Sequence, residues 1–342
     1  MKHLIFRPIS LVVTLLLLAS PTAYAGPRIV NCDEGGSLED AILSGQGSAK
    51  ELEITLIGTC YESFTISRDR VVVTGDGNTM IYGQIRIVDA GPVELSYLTI
   101  SGDGHGVDLL NGRVRLIRAN LSGNEGFGVR ARYGSVVTMR DTTVTGNEGD
   151  FGVYAENAVL QMFRTDVREN AGVGIGLQDN SRLRMNGGSV VDQLGGTGVT
   201  AVMGSAIRLE GTTISGNGDV GVYLAAGSVA QVDDSNVASN SSQGLEVVGN
   251  STLNFAGGEV SGNGDNGILA SSHAFVELTD TRVEYNLNNG VLANTDSGIV
   301  IRGPTYVQFN SGWDLVCEGE EASAEVWLEP PGTIDKVSCT GF

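Results

Sequence analysis

The stretch TTVTGNEGDFGVY, residues 142–154, returns as TTISGNGDVGVY at residues 212–223. Neither copy looks like a catalytic motif, so the repetition itself has to be explained. Counting outward from Asn147 and Asn217, equivalent places are held by Asn124, Asn170, Gln193, Asn240, Asn263, Asn286 and Asn310, at spacings of 23 or 24 residues. Asp103 extends the row one step toward the N-terminus at a shorter interval. A period this steady is the mark of a solenoid, in which each unit packs on its own next copy.

Within a period the apolar beat is two, which is the beat of strands. One strand carries Val129 and Ala131, Val153 and Ala155, Val222 and Leu224, or Ile268 and Ala270. A second carries Val137 and Met139, Leu160 and Met162, Leu183 and Met185, or Ile207 and Leu209. A third, just ahead of the asparagine, is marked by Val144, Val167, Val190, Ile214, Val237, Val260 and Val283. Three short strands per turn, each with one inward face, predict an all-β, three-sided parallel coil of about a dozen turns, its strands stacked about 4.8 Å apart. The asparagine row reads as a structural ladder at one bend, in which the amides of successive coils bond each other and nearby backbone.

The ends differ from the middle. SLEDAILSG, residues 37–45, predicts a short capping helix with Ser37 as N-cap and Asp40 three residues on. It would cover the open sheet edge of the first coil. At the other end Trp313 and Trp327 are expected as apolar cover. Four cysteines allow three pairings; the sequence-local one, Cys32 with Cys60 and Cys317 with Cys339, would staple each terminus. MKHLIFRPISLVVTLLLLASPTAYA, residues 1–25, has the basic start, apolar centre and small residues of a secretory signal peptide cut after Ala25. The organisation expected is therefore signal peptide 1–25, N-terminal cap and first coil 26–60, repeats 61–316 and C-terminal cap 317–342, in a secreted or periplasmic protein.

The formal net charge is −19, and Lys2 and Arg7 leave with the signal peptide. Such a chain is not built to hold nucleic acid, and no later apolar run is long enough for membrane insertion. From residue 186 onward nineteen acidic residues face four basic ones, whereas between 101 and 185 the numbers are ten and ten. An anionic ligand should therefore prefer the middle of the chain. Its ten arginines from Arg113 to Arg184 suit an anionic sugar chain.

The 23-residue G-N-x-G-x-G-V coil, the opening VNCDEGGSLEDAI, GTCYESFTI and the final N-S-G-W-D-L resemble secreted bacterial right-handed parallel β-helix proteins of the pectin-lyase-like superfamily. The resemblance spans the whole mature chain and implies a right-handed coil, as does the usual crossover rule. It does not fix an activity, because that superfamily holds lyases, hydrolases, epimerases, spikes and adhesins. The histidine in GHG, 104–106, is similar to that of polygalacturonases, but the aspartates that precede it there and the RIK that follows are missing. His105 is therefore read as a loop residue, and His273 as a turn residue. The DPH signature of alginate epimerases, a WIDH segment, zinc-ligand spacing and a phosphate loop are absent.

The outward positions of the first strand supply the remaining chemistry. They concentrate polar groups at one place: Asp108, Arg130, Arg132, Tyr154 and Glu156. Arginine or tyrosine with acidic partners suits β-elimination of a uronate, which needs a base beside the carboxylate and a positive group to steady the enolate. The plainer reading is a charge ladder, Asp108 with Arg130 and Arg132 with Glu156, between neighbouring coils. The main functional reading is accordingly a non-catalytic scaffold that binds a cell-wall or extracellular polysaccharide. The alternative is a uronic-acid polysaccharide lyase or related carbohydrate-active enzyme centred on those five residues. No cofactor is called for, although Asp233, Asp234 and Asp280 at equivalent corners, with Gly257 between, suggest a place for Ca²⁺.

Overall fold

The computed structural model describes residues 27–45, 50–319 and 321–339; the expected signal peptide lies outside the described residues. The alternation of inward aliphatic and outward polar residues produces what it predicts, strands paired in parallel and in register with the next coil. They form two sheets of 23 and 13 strands. The smaller sheet, one strand per coil, forms one side of the triangular coil. On it Val129, Val153, Ile175, Val199, Val222, Leu245, Ile268 and Val291 stack in one row, all fully buried. Burying each such side chain contributes about 1.5–3 kcal/mol, and no single coil could bury its own row alone.

The larger sheet forms the other two sides. They join because the corner between the second and third strands of a coil turns on a left-handed residue, at Asp141, Arg164, Gly187, Gly211, Asp234, Gly257, Asp280 and Gly303, with φ of 47–67°; at two of them the following glycine, Gly188 or Gly258, also has positive φ. Side-chain-bearing residues pay about 1 kcal/mol for that conformation and glycine does not, which explains the glycines in the row. In four coils the two strands run on through the corner as one: Val159–Arg168, Arg182–Val191, Val229–Ala238 and Thr252–Ser261.

The asparagine ladder occupies the next corner and is buried throughout. Asn147 shows the unit. Its Nδ2 donates to Asn170 Oδ1 at 2.8 Å and to the Leu121 carbonyl at 3.2 Å, while its Oδ1 accepts from Asn124 Nδ2 at 2.7 Å and from the Asn124 backbone N–H at 3.2 Å. Asn217, Asn240, Asn263, Asn286 and Asn310 continue the row. Gln193 accepts from Asn170, but its longer side chain turns its own amide to the Val167 and Val191 carbonyls. Asp103 does not extend the row: it is exposed, and the buried Asn124 Oδ1 has no donor, because a carboxylate has no amide to offer. The far end closes on a residue that the spacing did not reveal. Asn310 Nδ2 donates at 2.9 Å to the fully buried carboxylate of Asp314, whose other oxygen accepts the Lys336 N–H.

At the N-terminal end the helix Leu38–Leu43 forms with Ser37 Oγ accepting the Asp40 N–H, and Leu38 and Ile42 lie on the first coils as full cover. Glu62 adds a second cap, accepting from Leu38 N and Ser37 Oγ. The C-terminal end departs from expectation. Trp313 and Trp327 are not its cover: they are 49% and 67% exposed. The tail adds one more coil instead, pairing Ser323–Leu328 with Gly298–Gly303, and the register turns Ala324 and Val326 inward while Trp327 falls outward beside Arg302. Disulfides Cys32–Cys60 and Cys317–Cys339 fasten the two ends.

Asn240 accepts from two donors of one coil and donates to two acceptors, so Asn240→Ala strands several buried groups at once. The expected loss in urea-measured stability is about 2–3 kcal/mol. The outward Asn254→Ala should change it by less than about 0.5 kcal/mol.

Candidate functional site

The smaller sheet places Arg86, Asp108, Arg130 and Tyr154 directly opposite one another on four successive strands, with Arg132 and Glu156 two residues further along theirs. Arg132 is not paired with Glu156 as the charge-ladder reading expects. Its guanidinium turns back to Asp108, 3.2 Å from Oδ1. Arg130 stands 3.8 Å from the same carboxylate and Arg86 3.9 Å. Three guanidinium groups therefore surround one carboxylate, and Asp108, although on an outward position, is covered to 5% exposure. The cluster carries a surplus of positive charge, and the buried Arg132 Nε–H has no acceptor.

His105 lies in the loop ahead of the strand Val107–Leu110, as expected, and its ring joins this cluster. Its Nδ1 lies 2.9 Å from the Phe127 N–H and its Nε2 2.8 Å from Arg130 Nη1. A neutral imidazole has one lone pair for those two donors, so one contact is always unsatisfied until an acceptor arrives. Burial, then the charge of Arg130, hold the ring below the usual histidine range; Asp108 opposes this and Arg132 adds to it. The ring is therefore a neutral base at physiological pH, poised against a cation that an incoming carboxylate can draw away.

Aromatic rings continue the site. His105 stacks on Phe127 with centroids 4.8 Å apart, Phe127 meets Phe151 edge-on at 5.5 Å, and Phe151 lies 4.9 Å from Tyr154. Gly176 is required beneath them, because a Cβ there would run into the Phe151 ring. Tyr154 donates to Gln178 Oε1 at 3.1 Å. Burial, together with Glu156 and Asp179, raises its phenol above the ordinary value and keeps it protonated. A cavity of about 220 Å³ lined by Ser63, Thr65, Gln84, Arg86 and Asp108 continues the groove toward the N-terminus.

His105, Phe127 and Phe151 escape a reading that follows only the positions after each strand's first valine or isoleucine. The signal is periodic all the same: each stands two residues ahead of Val107, Val129 or Val153. Glu156 touches the site only through its charge on Tyr154. His273 is a turn residue as expected, with φ of 64° and an exposed ring. The corner acids do not gather: Asp234 and Asp280 hold left-handed corners, while Asp233 faces Arg208 at 3.8 Å. Among the described residues the one trio of close metal-donor groups is Cys32, Cys60 and Glu62, and its two sulfurs are bonded to each other.

The description "right handed beta helix region" belongs to a family model that matches residues 83–200 and 187–324. The chain is a member of that family. No curated protein sequence matches it. Among solved structures, this β-helix is similar to the A-module of the Azotobacter vinelandii mannuronan C-5 epimerase AlgE4, with a TM-score of 0.61 and 15% identity over 91% of this chain and all of that one. It is also similar to the periplasmic alginate epimerase AlgG, with a TM-score of 0.60 and 13% identity over 88% of this chain and 82% of that one. At these identities the likeness is one of fold.

The environment of His105 makes a titration prediction. By NMR its pKa should lie below that of free histidine, Arg130→Gln should raise it and Asp108→Asn should lower it further. Because the folded-state value is depressed, the stability tied to the neutral ring is fully present above the unfolded-state pKa and is lost as pH falls through the folded one.

Proposed function

We propose that this β-helix acts on the C-5 position of uronate residues in an exported acidic polysaccharide, as a lyase or C-5 epimerase. The observation that carries the reading is the turn of Arg132 to Asp108. It replaces a balanced charge ladder by three arginines on one carboxylate beside a neutral histidine.

In this reading the uronate carboxylate docks on the partly exposed Arg130, which relieves the contact between Arg130 and His105. His105 then takes the C-5 proton. The C–H electron pair enters a C-5–C-6 enolate steadied by the guanidinium groups. Tyr154, held protonated, is the donor. In elimination the C-4–O bond breaks, a C-4–C-5 double bond forms, and Tyr154 protonates the leaving oxygen. In epimerisation Tyr154 delivers a proton to C-5 on the opposite face of the ring, and exchange with solvent then removes the proton from His105 and restores the one on Tyr154. Phe127 and Phe151 offer apolar ground for the pyranose C–H groups. The alginate epimerases that share the fold act on polymers of this class, and the two disulfides suit an oxidising compartment outside the cytosol.

The non-catalytic scaffold has one specific observation in its favour: the Tyr154 hydroxyl is already committed to Gln178. Incubation of the protein in D₂O with mannuronan, alginate and polygalacturonate separates the two, with C-5 deuterium uptake read by NMR and unsaturated ends by absorbance. Uptake with one polymer is expected. His105→Ala and Tyr154→Phe should slow it by about 10²–10⁴-fold, whereas His273→Ala should leave it unchanged. Retention of a polymer with neither exchange at C-5 nor unsaturated ends would leave the scaffold.

A further inference from the structure

A second concentration of positive charge lies on a different sheet. The strands Arg113–Ile117, Val136–Arg140, Val159–Arg168 and Arg182–Val191 follow one another in the larger sheet, and Ala206–Glu210 comes next. On the first four, the three outward positions preceding the corner hold Arg113, Arg115, Arg140, Arg182 and Arg184, and no carboxylate. Arg208 extends the row by one strand, where Asp233 stands 3.8 Å from it, and on the other side Glu94 lies opposite Arg115 in register without forming an ion pair. Among the described residues Arg113, Arg115, Arg182 and Arg184 make no ion pair. The nearby corner acid, Asp141, is already held by both nitrogens of Arg164.

This arrangement works against stability. Arg184 and Arg208 stand directly opposite each other on adjacent strands, where like charges repel. It also occurs on a chain with 40 acidic residues, where a compensating carboxylate would be easy to supply. Between the arginines lie partly buried apolar bodies, Ile117, Val136, Val159 and Phe163. Three cavities of about 240, 560 and 280 Å³ run along the strip and share linings, the first two at Arg115 and Thr138, the last two at Gln161.

We infer that this face is a binding track for a linear carboxylated polysaccharide, laid along the coil axis and separate from the His105 site. Five strands at about 4.8 Å per step give a track roughly 19 Å long, too extended for a single phosphate or sulfate and suited to a chain that repeats its charge at every residue. Arginine matches carboxylate with paired N–H donors. The apolar bodies between suit the C–H faces of pyranose rings, whereas a single-stranded nucleic acid calls for a row of stacking rings and Phe163 is the one aromatic here. The identity of the polymer rests on the C-5 reading above; the existence of the track does not.

The test is affinity electrophoresis through gels containing polygalacturonate or mannuronan, carried out in the His105→Ala background so that no reaction at the first site contributes. Arg115→Glu/Arg184→Glu should weaken retention at least tenfold at low salt. The difference should close as salt is raised, since exposed charges are then screened. Arg113→Gln/Arg182→Gln should weaken it in the same direction with less perturbation, and thermal unfolding of both variants should match the parent. Retention unchanged in the glutamine variant overturns the track. Stronger retention by a sulfated glycan or single-stranded DNA than by either polyuronate overturns the assignment of its occupant. If retention falls in the variants while the wild-type protein shows neither exchange at C-5 nor unsaturated ends, the track stands and the enzymatic reading fails; the reverse pair of results has the opposite meaning.

Discussion

Everything in this molecule depends on the in-register hydrogen bonding of one coil to the next. A coil of about 23 residues cannot enclose a core, but each inward residue meets its own counterpart one strand away, and the apolar row becomes continuous. The same register carries the asparagine corner, where side-chain amides repeat the strand ladder in miniature. Polar groups buried at that corner are satisfied only because the neighbouring coil presents the same residue in the same place.

Register also makes the functional surfaces. Outward residues are decoupled from the core, so a coil can change them without changing the fold, and residues a whole period apart in sequence become neighbours. Asp108, Arg130 and Tyr154 are brought together in this way, and so are Arg184 and Arg208. The two basic regions differ in what surrounds them. On the smaller sheet the arginines close over the Asp108 carboxylate beside His105, whose pKa is lowered, and Tyr154, whose pKa is raised. On the larger sheet Arg113, Arg115, Arg182 and Arg184 stand exposed and outside any ion pair among the described residues.

The period, the strand beat, the capping helix and the sequence-local disulfides were all legible in the sequence, because each depends on residues whose spacing is set by the backbone. The register of Asp108, Arg130 and Tyr154 was legible for the same reason. What could not be read was where long side chains point. Arg132 has Glu156 and Asp108 both within reach, and the choice of Asp108 depends on packing around the guanidinium rather than on spacing. His105 was read as a loop residue and not joined to the cluster, because its ring is held by a backbone N–H one coil away, at Phe127. The tryptophans of the tail were misjudged because composition suggested a cap, while the register of Ser323–Leu328 decided which side chains turned inward.

The amide row has a direction. Except at Gln193, each side chain from Asn124 to Asn310 hands its N–H to the oxygen that follows it toward the C-terminus. Asp314 can only receive, so the sequence of donors stops there like a line of type at a full stop. Such a grammar lets the molecule grow in its middle. A duplicated repeat inserted between two asparagine coils finds both of its partners waiting, whereas one appended after Asp314 meets an acceptor with no proton to pass on. Lengthening by internal duplication, with both ends kept as they are, is the course this chemistry leaves open, and the near-identity of residues 142–154 and 212–223 is what such a history would leave behind.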